Sequence, residues 1–185
     1  AAAKALLGAK KPMIWAGAGV LFSGATDALR ELAELTATPV FTTMPGKSAI
    51  DERHPLALGA GSGATTLAAH RWLTDSDVLL ALGSSLTRTP YGQRIKPGKF
   101  VIHNSINPDD INKDEAADIG LVGDTQLTIQ ALIEAVKAQT GGAGDRAQVE
   151  AEVAAVKAEW MAEWASVLTS DDEPLTYYRV IHEIN

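Results

Sequence analysis

Apolar and polar positions alternate in blocks along this chain, and the blocks change period in a regular order. Pro12 to Ala16 is a short apolar run bounded by proline and glycine, which predicts a buried strand. Ser23 to Leu35 carries Leu29, Leu32, Ala33 and Leu35 at helical spacing. Pro39 to Thr43 is rich in β-branched and aromatic residues and predicts a second strand. The segment Leu58-Gly-Ala-Gly-Ser-Gly63 reads as a glycine-rich loop that opens a helix from Ala64 to Leu73. Asp77-Val-Leu-Leu-Ala-Leu-Gly83 is the clearest strand and turn, and Lys99 to Ile106 and Ile119 to Val122 predict two more strands. Asp124 then stands as the cap of a helix whose face carries Ile129, Leu132, Ile133 and Val136.

Strand and helix patterns in alternation mean βαβ units and a parallel sheet. The expected fold is therefore α/β: a doubly wound parallel sheet of about five or six strands with helices on both faces, over residues 1–138. Gln139-Thr-Gly-Gly-Ala-Gly144 reads as a flexible break. Beyond it, 139–185 reads as a helical linker. Asp145 to Leu168 carries Val149, Val153, Val156, Trp160, Trp164 and Leu168 three or four apart, a stripe that packs either on the domain's own sheet or on another domain. Tyr177, Val180, Ile181 and Ile184 form a second stripe with nothing after it to pack on. The chain starts within a helical pattern and stops within another, so both ends read as cut from a longer polypeptide.

Composition narrows the function classes. At 185 residues and 46% hydrophobic content, one globular domain of ordinary size is expected. A formal net charge of −7 argues against nucleic acid or an anionic membrane as partner. No run of eighteen apolar residues is present, and the first residues lack the pattern of a signal peptide. The absence of cysteine excludes disulfides and thiolate metal sites and fits a cytoplasmic location.

Candidate chemistry is sparse. Gly17-Ala-Gly19 follows the first strand as in a dinucleotide-binding turn, but Phe22 stands where the third glycine belongs, and the second strand ends without an acid. Gly46-Lys47-Ser48 resembles the end of a P-loop, but Phe41 replaces the required earlier glycine. Neither Ser62 nor Ser84 completes a Gly-x-Ser-x-Gly elbow. His54, His70, His103 and His182 are scattered, with no pair at the spacing of a zinc helix. The recurring theme is a glycine turn after a strand: Gly17 and Gly19, then Gly59, Gly61 and Gly63, then Gly83 and Gly123. In a parallel sheet such turns gather along one edge, where ligands bind. They either offer backbone amides to an extended nucleotide, with Arg88 and Arg94 near its phosphates, or only make tight turns between packed elements.

The ordered set Lys11-Pro-Met-Ile-Trp-Ala-Gly-Ala-Gly19, Thr42-Thr-Met-Pro-Gly-Lys-Ser-Ala-Ile50, His54-Pro-Leu-Ala-Leu-Gly59, Asp77 to Gly83, Ile102-His-Asn-Ser-Ile-Asn-Pro108 and Val122-Gly-Asp124 resembles the central domain of thiamine-diphosphate-dependent enzymes. The subgroup is that of acetolactate synthase, benzoylformate decarboxylase and oxalyl-CoA decarboxylase, and the likeness covers residues 1–138. The tail resembles that family's linker into its third, diphosphate-binding domain.

The resemblance implies a non-catalytic fragment with a structural and subunit-contact role. In the parent, thiamine diphosphate and magnesium sit between the first and third domains of neighbouring subunits of a homodimer or homotetramer. Those absent thiamine-binding domains are then this chain's partners. No catalytic or metal-binding residue is expected here. Relatives hold FAD or ADP in the central crevice or leave it empty. The positions that carry over are Gly17, Gly19, Thr42, Thr43, Gly59, Gly61, Gly63, Gly83, Arg88, Ser105 and Asn107. Ser105 and Asn107 stand where relatives often carry aspartates, and Gly59 to Gly63 differs from the synthase's bulkier loop; both departures favour an empty crevice. A self-standing enzyme of the NAD-dependent deacylase-like fold would need a catalytic histidine and a zinc insert, for which the chain has no ligand set.

Overall fold

The computed structural model describes residues 1–140 and 145–184. Of the predicted break at 139–144, residues 141–144 lie outside the described residues.

Six strands form one sheet: β1 (Pro12–Ala16), β2 (Val40–Thr43), β3 (Ala57–Gly61), β4 (Val78–Leu82), β5 (Phe100–Ser105) and β6 (Ile119–Val122). Their order is β3-β2-β1-β4-β5-β6 and every pairing is parallel. The order reverses between β1 and β4, which puts the switch point of the doubly wound sheet at the turns after Ala16 and Leu82.

Seven helices are described: α1 (Ala2–Leu7), α2 (Ala18–Phe22), α3 (Thr26–Thr36), α4 (Leu67–Asp75), α5 (Thr125–Thr140), α6 (Arg146–Leu168) and α7 (Tyr177–Ile184). Strand alternation sorts them onto two faces. In β1, Ile14 and Ala16 join Val20, Leu29, Leu32, Ile129, Ile133 and Val136 in one core, beneath α1, α2, α3 and α5. Met13 and Trp15 join Phe41, Ala69, Trp72, Val153 and Val156 in the other, beneath α4 and α6. Trp15 meets Phe41 edge-on at 5.0 Å between ring centroids. Both faces of a parallel sheet are thus covered, as the apolar character of its strands requires.

Three predicted elements come out differently. The helix read from Ser23 starts three residues later: Ser23 and Gly24, the latter at φ +68°, end α2, and α3 runs from Thr26 to Thr36. The segment read as a loop contains edge strand β3, whose ladder to β2 shifts register between Val40 and Phe41. Its glycines hid it, since an Ala-Leu-Gly-Ala-Gly run has little β propensity. The following helix starts at Leu67 because Thr66 caps it, its Oγ1 accepting from the Ala69 amide at 3.1 Å.

The stripe on α6 divides between the sheet and the last helix of this chain. Val153 and Val156 are buried on the sheet, and Lys11 anchors the same stretch through Glu152 at 2.8 Å. Trp160, Trp164 and Leu168 lie further along and meet α7, with Trp164 5.4 Å from Tyr178. Among the described residues no helix is long and apolar enough to cross a membrane.

Candidate functional site

A cavity of about 360 Å³ opens over the C-terminal ends of β1, β2, β3 and β4. Gly17, Thr43, Gly61 and Gly83 line it, so four of the carried-over positions come together. The remaining wall is Trp15, Ala18, Met44, Pro45 and Ser62 with, from the loop that follows β4, Ser84 to Thr87, Thr89 and Tyr91 to Gln93. Gln93 ties that loop to β3: its amide donates to the carbonyls of Ser62 and, at 3.3 Å, of Gly63.

The other candidate positions fall outside the wall. Gly19 sits behind Gly83, and a Cβ there would be 2.6 Å from the Gly83 Cα. Thr42 is buried and its hydroxyl has no partner among the described residues. Gly59, at φ +96°, leaves room for Thr66, whose methyl a Cβ would meet at 2.8 Å. Gly63 approaches the Tyr91 carbonyl. Ser105 Oγ donates to Asp110 at 2.7 Å, and Asn107 Oδ1 accepts from the Asp109 amide at 3.1 Å, so both serve the turn after β5. Arg88 is held in a two-pronged pair with Glu115 at 2.8 and 3.2 Å, and this carboxylate raises its pKa. Arg94 is exposed and does not line the cavity.

The glycine amides at the switch point face inward. Gly17 N–H donates to the Leu82 carbonyl at 2.9 Å, Gly19 N–H to the Gly83 carbonyl at 2.9 Å, and Gly83 N–H to Asn104 Oδ1 at 3.2 Å. A Cβ on Gly17 would stand 2.4 Å from the Gly83 oxygen. The two turns are therefore glycine because their backbones touch. Of the two readings of the recurring glycines, tight packing accounts for these three.

Sequence reasoning passed over the residue that organises this edge. Asn104 is fully buried. Its Oδ1 accepts from Gly83 N–H and from Thr125 Oγ1 at 3.0 Å. Its Nδ2 donates to the Leu121 and Gly123 carbonyls at 3.0 and 3.1 Å and to Thr128 Oγ1 at 3.2 Å. One amide thus joins the turns after β4 and β6 to the start of α5. Beside it, buried His103 bonds through Nε2 to the Ser84 carbonyl at 2.7 Å. The available signal was an imidazole and an amide interrupting an apolar strand, since buried polar groups demand partners.

Gly46 is not part of a phosphate cradle. A Cβ there would be 2.6 Å from the Ala16 carbonyl, and Lys47 is paired with Glu52. Among the described residues no cluster of histidine and carboxylate side chains could hold a metal. His54 Nε2 pairs with Glu34 at 3.0 Å, and this bond holds the Glu34 carboxyl below its usual range.

FAD and ADP need a diphosphate cradle, made of free amides, a cation, or both. The glycine amides at the switch point are bonded, and no Asp, Glu, Lys, Arg or His side chain is found among the described residues of the cavity wall. Neither those glycine amides nor a charged side chain of the wall supplies such a cradle.

A family model described as "Thiamine pyrophosphate enzyme, central domain" matches residues 1–132. The chain is 40% identical over 137 residues to the probable acetolactate synthase large subunit of Methanocaldococcus jannaschii, covering 73% of this chain and 23% of that protein. It is 40% identical over 134 residues to the acetolactate synthase of Mycobacterium bovis, covering 71% and 22%. It is 29% identical over 184 residues to the acetolactate synthase large subunit of Cyanidium caldarium, covering 98% and 31%. The chain thus spans under a third of the length of these curated relatives.

Proposed function

We propose, since the chain belongs to the thiamine pyrophosphate enzyme family as a central domain, that it is the non-catalytic scaffold of an acetolactate synthase-like 2-oxo-acid decarboxylase or carboligase. The observation that carries this reading is the inward-bonded ligand edge. The switch-point turns, which in a nucleotide-binding sheet face a ligand, here bind each other and Asn104. An edge spent on its own packing supports architecture over chemistry. In the parent, thiamine diphosphate with magnesium would supply the carbanion chemistry from other domains. Residues 1–138 would space those domains, and 139–185 would lead into the next one.

The distribution of exposed apolar side chains supports a contact role. Phe22, Ile106, Val122 and Leu127 lie at the C-terminal ends of the strands or just beyond and are 58 to 89% exposed. Tyr177, Val180, Ile181 and Ile184 put a second set on α7. Isolated domains seldom leave so much apolar surface in water without a partner. In this reading the partners are the neighbouring domains of the same polypeptide and of a second subunit, in a cytoplasmic homo-oligomer.

The rival reading, an FAD- or ADP-binding module, has the position of the cavity in its favour and the chemistry of its wall against it. A domain exchange tests the scaffold reading. Residues 1–132 replace the matching segment of the Methanocaldococcus jannaschii protein, and its acetolactate-forming activity is assayed. Retained activity in a folded chimera is expected; a folded, correctly assembled and inactive chimera would count against a purely architectural role.

A further inference from the structure

Lys11, Lys99 and Lys157 are the half-buried lysines among the described residues. An ammonium withdrawn from water needs oxygen partners for its three donors. Lys11 has Glu152 at 2.8 Å, and its charge lies 4.5 Å from the centre of the Trp72 ring. Lys99 donates to the Thr74 carbonyl and to both the carbonyl and the hydroxyl of Ser76. Lys157 has no hydrogen bond or ion pair among the described residues.

Lys157 lines a cavity of about 260 Å³ where α6 passes β3 and the start of α4. Leu58, Trp160 and Met161 make the wall apolar. Thr66 is already spent, since its Oγ1 donates to the Leu58 carbonyl and accepts from the Ala69 amide. Trp160 and Met161 also line the apolar space between α6 and α7, which leaves room beyond the amine for a short chain. Glu52 lies on the same wall, but Lys47 holds its carboxylate. Burial pushes the Lys157 amine below its usual range and outweighs the attraction of Glu52, which acts to raise it. With that carboxylate on the wall and a net charge of −7, an anionic guest is repelled and a neutral electrophile is not.

We propose that Lys157 is a nucleophilic lysine, a modification site where a neutral acyl thioester transfers a short acyl group to Nζ. The uncharged amine attacks the thioester carbonyl carbon. The N–C bond forms and the C–S bond breaks. The sulfur leaves with the bonding electrons and takes up the proton that the nitrogen gives up. The product amide carries no charge, so it suits the apolar wall better than the ammonium does. The site lies on the α4 and α6 face of the sheet, and losing it leaves the family and the scaffold reading untouched.

Acylation of the 185-residue chain tests it. The chain is treated at neutral pH with S-acetyl-N-acetylcysteamine, an uncharged thioester, and acetylation of each lysine is followed by peptide mass spectrometry. Lys157 should react at least about fivefold faster than the exposed Lys4 and Lys96, as a desolvated amine without a partner does. Lys99, half-buried but bonded to three oxygens, should react more slowly than either. Met161→Glu, at a position 45% exposed, sets a carboxylate one helical turn from the amine and should bring Lys157 down to the rate of the exposed lysines. Lys157 reacting no faster than Lys4, or keeping its lead in Met161→Glu, overturns the proposal. So does Lys99 matching Lys157, which would make burial alone sufficient.

Discussion

Gly19 donates its amide to the Gly83 carbonyl at 2.9 Å, and a Cβ on either glycine would lie under 3 Å from the backbone of the other. The turns after β1 and β4 are thus fitted to each other. Gly83 also sits at φ +58°, where an L side chain is strained. Gly83→Ala should cost about 3 kcal/mol or more, from strain and overlap combined. The urea midpoint of the variant measures it. A cost within about 0.5 kcal/mol, the size of an ordinary surface change, would mean that the two turns can separate freely.

Asn104 should be the most sensitive polar position. Asn104→Leu keeps the volume and removes every hydrogen bond of the amide, leaving the Gly83 amide and the Leu121 and Gly123 carbonyls to find water in a closed site. A loss of about 3–5 kcal/mol is expected, since each stranded group costs about 1–3 kcal/mol and relaxation recovers part. Hydrogen exchange should show faster opening at Gly83 and Gly123 than in α4. Uniform change across the sheet would contradict a local hub.

Asp77 ties the start of β1 to β4, accepting from the amides of Lys10 and Lys11 at 2.8 and 2.9 Å. Burial acts to raise its pKa, but the backbone amides outweigh it and the net shift is downward. A depressed carboxylate contributes stability that is present above its unfolded pKa, about 3.9, and is lost as pH falls through the folded value. Asp77→Asn should therefore cost about 1–2 kcal/mol at pH 7 and progressively less below pH 4. Equal destabilisation at pH 7 and pH 3 would show that the charge is irrelevant there.

The first half of α6 belongs to the second core. Val153→Asp would place a carboxylate among Met13, Trp72 and Val156, and should destabilise by about 3 kcal/mol or more. Glu159→Gln, which only releases the exposed ion pair with Arg71, should cost under about 1 kcal/mol. Thermal melts of the two variants separate a packed cover helix from a loosely attached one. Similar melts for both would contradict the packing described.

How far the sequence was legible follows from what each signal measures. Apolar runs at β1, β4 and β5, and the four-residue stripe of α5, mark burial directly, and those elements stand where the pattern puts them. β3 was hidden because Gly59 makes room for Thr66, Gly61 for Thr65, and the ladder carries an edge bulge, which are tertiary facts. At the site, Gly17, Thr43, Gly61 and Gly83 do meet, because strand ends converge in any parallel sheet. What the amides face could not be read, since a glycine turn looks alike whether it meets a ligand or another turn. Arg88 shows the same limit: Glu115, 27 positions along, decides what its charge does.

The proposed role for this chain is architecture without the chemistry of its relatives. The direct measurement is calorimetric titration of the 185-residue chain with thiamine diphosphate and magnesium, followed by assay of carbon dioxide release from a 2-oxo acid. The account predicts neither binding nor turnover. Saturable cofactor binding with release of carbon dioxide would contradict it.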